Sequence, residues 1–177
     1  PRSTPFPYTT LFRSYYDFME KVTKILAIES SCDETSVAIV SSDRDILSNI
    51  IHSQVDIHKD YGGVVPEIAA RNHIDNIVPI LEEAMKEANF SNFSELDAIA
   101  CTAGPGLIGG VMVGVVLAKT LASINKLPFL AINHLEGHIL TPRLISEEIE
   151  FPYLTLLISG GHCQILIVEG IGKYSLL

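Results

Sequence analysis

The chain has 177 residues, of which 47% are apolar, and its 12 basic and 21 acidic side chains give a net charge of −9 at pH 7. This composition supports a buried core, excludes wholesale disorder, and fits one large domain or one lobe and the beginning of another. The longest uncharged apolar stretch, residues 107–118, has 12 residues and is too short to cross a bilayer, and we expect no signal peptide.

Both ends of the chain are unusual. Residues 1–14 contain three prolines and no acidic residue, and residues 6–14 resemble a translated sequencing adapter. We therefore exclude residues 1–14 from fold prediction as an artefact, with a native disordered tail as the alternative. Residues 15–23 form a lead-in of unassigned structure. Residues 170–177 stop in what the pattern predicts to be the middle of a sheet, so we expect the chain to be a fragment.

The first reliable segment predicts three strands. Short apolar runs at residues 24–28 and 36–40 flank a small polar loop, which is typical of a hairpin. Residues 46–55 supply a third strand after a polar turn at residues 41–45.

The middle of the chain predicts alternating helices and strands. A helix begins near Pro66 and continues with apolar side chains at spacings of three and four as far as Ala88, and Pro79 inside it predicts a kink or a break. A buried strand at residues 96–102, a glycine-rich helix at 109–124 and a strand at 128–132 follow. A further helix runs through His134 and His138.

A second strand–loop–strand unit then appears. Residues 153–158 and 164–168 predict two strands joined by a tight loop at 159–162. Together with the unit at residues 24–40, this predicts a duplicated, two-lobed α/β architecture with a cleft between the lobes. We assign residues 24–150 to the first lobe and 151–177 to the start of the second.

Two histidines at i and i+4 form the first candidate site. His134 and His138 lie on one face of a helix and can bind one metal ion together. The sequence between them does not match the HExxH pattern of zinc proteases, because Glu136 is at the third position. A surface or capping pair is the alternative to metal binding.

The segment 104–109 is a literal GxGxxG that follows a strand and opens a helix. Backbone amides at such a position can bind an anion. A dinucleotide site also needs an acidic residue about 20 residues further on. Residues 125–133 contain none, so NAD binding is disfavoured. Glycines that permit tight helix–sheet packing remain an equally good interpretation.

Three further candidates remain. The loop SGGH at 159–162 either lets backbone amides approach a ligand or forms an ordinary hairpin turn. Residues 32–35 contain the acidic pair Asp33 and Glu34, which is usually just solvated. Arg71 in the polar stretch 58–71 is expected to pair with Glu67 one turn earlier, with phosphate contact as the alternative.

Five segments together resemble the TsaD family of tRNA N6-adenosine threonylcarbamoyltransferases, once described as O-sialoglycoprotein endopeptidases. They are ILAIESSCDETS at 25–36, YGGVVPEIAAR at 61–71, TAGPGLIG at 102–109, HLEGH at 134–138 and SGGH at 159–162. The resemblance runs from about residue 24 to residue 177. The Leu-Glu-Gly between the histidines is more similar to the bacterial branch than to the archaeal and eukaryotic one.

The resemblance implies an actin-like (ASKHA, ribonuclease H-like) fold, represented here by the first lobe and the start of the second. It implies transfer of a threonylcarbamoyl group from threonylcarbamoyl-AMP to N6 of adenosine 37 in tRNAs that read codons starting with A, with AMP leaving. His134 and His138 correspond to the family's metal ligands, for iron or alternatively zinc. The family's adenylate-binding loop corresponds to Leu157, Ile158, Ser159, Gly160 and Gly161.

The resemblance also sets limits on this chain. The family's third metal ligand, an aspartate, would lie beyond residue 177, so the chain alone is expected to be inactive. Its acidic charge disfavours tRNA binding by this piece itself. A TsaB-like paralogue and a TsaE-like ATPase are the expected partners, with tRNA bound by the complete complex and no membrane involved. We assign no catalytic residue, although Asp33 and Glu34 are the nearest acidic candidates for assisting proton removal.

Other interpretations remain open. The chain could be a non-catalytic TsaB-like scaffold, although a scaffold would not need paired histidines. A metalloprotease lacks its HExxH glutamate here. A sugar or acetate kinase would share the fold class. The three cysteines, Cys32, Cys101 and Cys163, are odd in number and lack CxxC spacing, which disfavours disulfides and favours a reducing, cytoplasmic location.

Overall fold

The computed structural model describes residues 22–146, 148–159 and 163–177. Its strands and helices in chain order are β1 (Lys24–Glu29), β2 (Glu34–Ser41), β3 (Ile46–Ser53), α1 (Val55–Lys59), α2 (Pro66–Glu87), β4 (Ala98–Gly104), α3 (Ile108–Asn125), β5 (Phe129–Asn133), α4 (His134–Leu140), α5 (Pro142–Ile145), β6 (Tyr153–Ile158), β7 (Cys163–Gly170) and β8 (Lys173–Leu176). The segment expected to be an artefact, residues 1–14, lies outside the described residues, as does the lead-in as far as residue 21.

Five strands form the larger sheet in the order β3-β2-β1-β4-β5. The first three strands pair antiparallel, as the predicted hairpins require. In contrast, β4 runs parallel to β1, and β5 runs parallel to β4. The carboxyl ends of β1, β4 and β5 therefore lie at the same edge of the sheet, which is where open α/β sheets bind ligands.

The hydrophobic core lies where helices α2 and α3 pack on the larger sheet. Helix α2 contacts β2 and β3, whereas α3 contacts β4 and α2. The apolar spacing that predicted α2 is confirmed, since Ile77, Leu81 and Ala84 lie in a cluster with fully buried strand residues such as Leu26 and Ile99. Pro66 occupies the first turn of α2, where its missing N–H costs nothing.

Helix α2 passes through Pro79 without ending. The helix is continuous from Pro66 to Glu87, so the predicted break does not occur. A proline removes one intrahelical hydrogen bond. Burial of Ile77 and Ile80 on either side of it, at 4% and 6% exposure, offsets that loss and keeps the two halves on the same core.

Helix α3 packs very closely on the segment that follows β1. A Cβ atom on Gly110 or Gly114 would lie well inside van der Waals contact with Ser30, and one on Gly106, just before the helix, would meet Ser31. Within the part of the chain that the structure describes, α3 is the one helix with the length and composition that a bilayer-crossing helix needs. Its buried face, however, packs on the sheet as the core helix of an α/β unit.

The smaller sheet consists of β6, β7 and β8, each antiparallel to its neighbour. Its buried residues Leu157, Leu166 and Val168 cluster with Ile139 of α4. The Tyr153 hydroxyl donates a hydrogen bond to the Ile139 carbonyl. Helix α4 thus packs its apolar side against the smaller sheet while it follows directly from a strand of the larger one. The lobe boundary at residue 150 stays a prediction.

Candidate functional site

A cavity of about 810 Å³ opens at the carboxyl edge of the larger sheet. Its walls come from the β1–β2 loop (residues 30–33), the segment between β4 and α3, helix α4 and the end of β6. The lining residues include Glu29, Ser31, Cys32, Asp33, Glu34, Thr102, Gly106, Asn133, His134, His138, Leu157 and Ser159. Both predicted metal ligands and the acidic pair are therefore brought together around one space.

The local sequence fixes where α4 begins. The Asn133 side chain accepts hydrogen bonds from the backbone N–H groups of Leu135 and Glu136, at 2.9 and 3.2 Å, and so caps the helix. His134 is therefore the first helical residue, at the edge of the sheet. His138 follows one turn later on the same face.

The two imidazoles approach each other through their Nε2 atoms, which are 3.2 Å apart. Two imidazole nitrogens bound to one ion at about 2.1 Å, at angles between about 90° and 109°, would be separated by about 3.0–3.4 Å. The separation matches that of two ligands on one divalent ion, and it is also that of an N–H···N hydrogen bond between the two perpendicular rings. Among the residues that the structure describes, no cluster of three or more His, Cys, Asp or Glu side chains is arranged to bind a metal.

Glu29, at the end of β1, is the site residue that the sequence did not single out. Its Oε2 atom lies 3.2 Å from His134 Nδ1. The Ser31 hydroxyl lies 3.1 Å from the same nitrogen. The Ser31 backbone N–H and the Thr102 hydroxyl donate to the Glu29 carboxylate.

Burial opposes ionisation of Glu29, but the hydrogen bonds from Ser31 and Thr102 and the nearby His134 together hold the pKa of its carboxyl below the usual value. An ionised Glu29 accepts a hydrogen bond from the Nδ1–H group of His134, so that in the neutral ring Nε2 carries the lone pair. Because a carboxylate behind an imidazole fixes its tautomer and its orientation, Glu29 directs the lone pair of His134 toward His138.

The sequence that forms this site matches a known protein family. The family model for TsaD, tRNA N6-adenosine threonylcarbamoyltransferase, matches residues 45–177. A protein of that name from Erythrobacter litoralis is 60% identical over 150 residues, which cover 85% of this chain and 43% of that protein. Another, from Rickettsia bellii, is 58% identical over 154 residues, which cover 87% of this chain and 45% of that protein.

The chain belongs to the TsaD family. It spans less than half the length of these curated relatives.

Two solved structures bear on its fold. YeaZ from Pseudomonas aeruginosa matches with a TM-score of 0.54 at 22% identity, over 88% of this chain and 64% of that one. The PPX-GPPA enzyme from Aquifex aeolicus matches with a TM-score of 0.50 at 11% identity, over 89% and 52% of the two chains. Both are similar in fold alone, and they confirm the predicted actin-like α/β fold.

The predicted adenylate-binding loop of this TsaD-family chain is described in part. Leu157 is buried and lines the cavity. Ser159 also lines the cavity. Ile158 points away from the sheet's core and is 69% exposed. Gly160 and Gly161 lie outside the described residues. The assignment of all five as binding residues stays a prediction.

The glycine-rich segment 104–109 has a packing role. A Cβ on Gly106 would collide with Ser31, and one on Gly109 would approach Ala70 Cβ at 2.9 Å. Gly104 has a φ of +134°, a conformation that L side chains rarely adopt. These contacts support the interpretation that the glycines permit tight helix–sheet packing, whereas anion binding here stays a prediction.

No residue of the polar stretch 58–71 is among those that line this cavity. The Arg71 guanidinium is 2.7 Å from the Glu67 carboxylate on the surface of α2, which confirms the predicted ion pair. His58 is buried instead of facing the cavity.

Proposed function

We propose that the protein represented by this chain transfers the threonylcarbamoyl group of threonylcarbamoyl-AMP to N6 of adenosine 37 in tRNAs that read codons starting with A. In this step the N6 nitrogen forms a bond to the carbamoyl carbon, the bond from that carbon to the phosphate oxygen breaks, and AMP leaves with the electron pair. Membership of the TsaD family, with its paired histidines on the cavity, is the observation that carries the proposal.

His134 and His138 would hold a divalent ion, iron or alternatively zinc. The 3.2 Å separation of their Nε2 atoms supports this, as does the imidazole–imidazole–carboxylate arrangement with Glu29 behind His134. When bound, such an ion supplies Lewis acidity toward a carbonyl or carboxylate oxygen of the donor.

The donor's adenylate would lie against the loop of residues 157–161. Leu157 offers an apolar surface and Ser159 a polar group on the cavity wall. Backbone amides of a glycine loop stabilise negative charge on a leaving phosphate without reorganisation, which favours departure of AMP.

The proton released from N6 would be taken up by an acidic group on the cavity wall. Glu29 is a poor base, because its carboxylate is already engaged by Ser31, Thr102 and His134 and its pKa is lowered. Asp33 and Glu34 line the same cavity and are the acidic groups left for this task.

The proposal is tested with the complete protein, its TsaB-like and TsaE-like partners, tRNA and threonylcarbamoyl-AMP, with the modified nucleoside measured by mass spectrometry. We expect wild type and the control Glu67→Gln, on the surface of α2, to form it at equal rates. The variant with both His134→Ala and His138→Ala should lose most activity. Equal rates for wild type and this double variant would contradict the proposed site, and no modification by wild type would contradict the proposed reaction.

We also propose a TsaB-like paralogue as a partner, with a TsaE-like ATPase and tRNA joining in the complete cytoplasmic complex. An exposed apolar groove between α2 and α3 supports a protein partner. Its residues Ile74, Val78, Met112 and Val116 are between 49% and 61% exposed. A paralogue of the same fold would offer a matching helix pair, so the two could pack with approximate twofold symmetry.

This pairing is tested by co-purification of the two proteins. Val116→Glu should abolish the complex, because it introduces a charge at the centre of an apolar interface. Ile51→Glu on β3, where Ile51 is 55% exposed against 60% for Val116, should leave the complex intact. Loss of binding in both variants, or in neither, would contradict this surface.

A further inference from the structure

A buried network of hydrogen bonds lies behind the cavity, outside the site described above. It connects Val65, before α2, to Cys32 in the β1–β2 loop through the side chains of His58, Gln54 and His73. His73 and Gln54 are fully buried, and His58 is 3% exposed. The side chains of this network have no assigned role in metal or donor binding.

The chemistry of its two ends fixes the direction of every bond in the network. The Cys32 carbonyl, 3.1 Å from His73 Nε2, can only accept, so this nitrogen carries the proton. His73 Nδ1 is then an acceptor, and it receives the Thr35 hydroxyl at 2.7 Å and the Gln54 side-chain N–H at 3.3 Å.

The other half follows from the same argument. Because its nitrogen faces His73, Gln54 presents its oxygen to His58 Nε2, at 3.1 Å, so this nitrogen also carries a proton. His58 Nδ1 must then accept, and the group facing it at 3.3 Å is the Val65 backbone N–H, which can only donate. The assignments made from the two ends agree, with both imidazoles neutral and protonated on Nε2.

The network ends on a loop that forms a wall of the cavity. Three successive carbonyls of this loop are held by three different parts of the fold. Leu107 N–H donates to Ser31 at 2.7 Å, and Gln54 N–H donates to Asp33 at 2.9 Å. Cys32, between them, is the one of the three whose carbonyl is held by a side chain, that of His73.

We propose that His58, Gln54 and His73 are positioning residues that set the conformation of the β1–β2 loop and couple it to the segment 61–65. Through this loop they determine where Asp33 and Glu34 stand in the cavity. The relevance of that position to threonylcarbamoyl transfer rests on the proposed function, whereas the coupling itself is measured without substrate, so the two can fail separately.

The first measurement is the tautomeric state of the histidines in the wild-type chain, by nitrogen-15 NMR of the imidazole rings. We expect His58 and His73 to be neutral with the proton on Nε2 at pH 7. A proton on Nδ1 of either ring would overturn the proposal, because the network would then contain two facing donors. This measurement needs no variant and so does not depend on whether a variant folds.

The second measurement is amide hydrogen exchange of residues 32–34. His73→Leu should raise this exchange about tenfold. The substitution removes the hydrogen bond to the Cys32 carbonyl, so local opening of the loop becomes easier by about the effect of one buried hydrogen bond. His58→Leu should have a similar effect although His58 does not touch the loop. The double variant should exchange no faster than His73→Leu alone, since both substitutions break one network. His73→Gln, which keeps a donor near the Cys32 carbonyl, should restore part of the protection.

Ile77→Ala serves as the matched control. Ile77 lies one turn after His73 on α2 and is buried in the apolar core, so its truncation lowers global stability without breaking the network. We expect it to leave the exchange of residues 32–34, relative to the rest of the sheet, unchanged. Exchange that is unaltered by His58→Leu, additive in the double variant, or raised equally by Ile77→Ala would overturn the proposal.

Discussion

Glu29 and His134 are 105 residues apart in the sequence, yet Glu29 Oε2 lies 3.2 Å from His134 Nδ1. The contact arises because β1 and β4, and then β4 and β5, run parallel, so that the end of β1 and the residue after β5 meet at one edge of the sheet. It gives His134 a defined tautomer before any ligand binds, and it makes Glu29 part of the histidine site.

Glu29→Gln should therefore weaken metal binding while leaving both histidines in place. We expect the affinity for Zn²⁺ to fall by about 10- to 100-fold, the usual effect of removing a carboxylate behind a metal-binding imidazole. Titration calorimetry of the metal-free protein measures this directly. Glu67→Gln removes an exposed carboxylate of α2 and should not change the affinity. Equal affinity in Glu29→Gln and wild type would show that Glu29 does not orient His134.

Gly110→Ala should strongly destabilise the fold. The added methyl group would collide with the Ser30 carbonyl and approach His73 Nε2 at 3.1 Å, and a backbone group cannot move aside as a flexible side chain can. We expect a loss of about 3 kcal/mol or more in the free energy of unfolding, at the upper end for overpacked cores. Denaturant unfolding measures it.

The control for this prediction is Gly63→Ala, because a Cβ at Gly63 would meet nothing within 4 Å. Its unfolding free energy should stay within about 0.5 kcal/mol of wild type. A similar, small change in both variants would mean that α3 does not pack on Ser30 as closely as described.

Cys32 should react slowly with alkylating agents despite its exposure and its place on the cavity wall. Partial desolvation of the sulfur, reinforced by Asp33 and Glu29, raises the pKa of the Cys32 thiol to about 11 although the residue is exposed. Only the thiolate is nucleophilic, so the rate of alkylation by iodoacetamide should rise about tenfold per pH unit between pH 7 and 9. Peptide mass spectrometry assigns the modified cysteine. A fast rate that levels off near neutral pH would instead indicate an activated nucleophile.

Stability should fall on acidification in a way that depends on His73. Burial lowers the pKa of His73, against the opposing effects of the Cys32 carbonyl and of Glu29 and Asp33, while His52 lowers it further. The unfolded chain therefore binds a proton that the folded chain resists, so the folded state loses stability as pH falls below about 6.5.

The contribution of His73 is isolated by comparing wild type with His73→Gln, which cannot titrate. Unfolding free energies measured from pH 7.5 to 5 should decline more steeply in wild type. His58, on α1, belongs to the same network and is unchanged in this comparison. Parallel pH profiles for the two proteins would contradict a neutral, proton-resistant His73.

The sequence predicted the elements well wherever a local pattern determines them. The hairpin of β1 and β2, the apolar spacing of α2 and the two-histidine helix were all predicted, because strand alternation, helical spacing and helix capping are properties of neighbouring residues. Of the kink or break predicted at Pro79, the break is wrong, because tertiary burial of Ile77 and Ile80 outweighs one missing hydrogen bond, whereas the kink stays a prediction.

The site was only partly predictable for a physical reason. His134 and His138 are four residues apart, so their spacing alone indicates a shared face. Glu29 becomes a site residue only through the parallel pairing of β1, β4 and β5, which no short window of sequence encodes. A single acidic residue at the end of a predicted buried strand was the one available signal. The His58–Gln54–His73 network likewise depends on contacts between distant elements.

The most direct test of the central claim is metal binding by the purified chain and by the variant with both His134→Ala and His138→Ala. Metal-free protein is titrated with Zn²⁺, and with Fe²⁺ under anaerobic conditions, with His52→Ala on β3 as a control that keeps the pair intact. We predict one ion per chain for wild type and His52→Ala, and an affinity at least about 100-fold lower in the double variant, a larger effect than that of Glu29→Gln. Equal binding by wild type and the double variant would contradict the account.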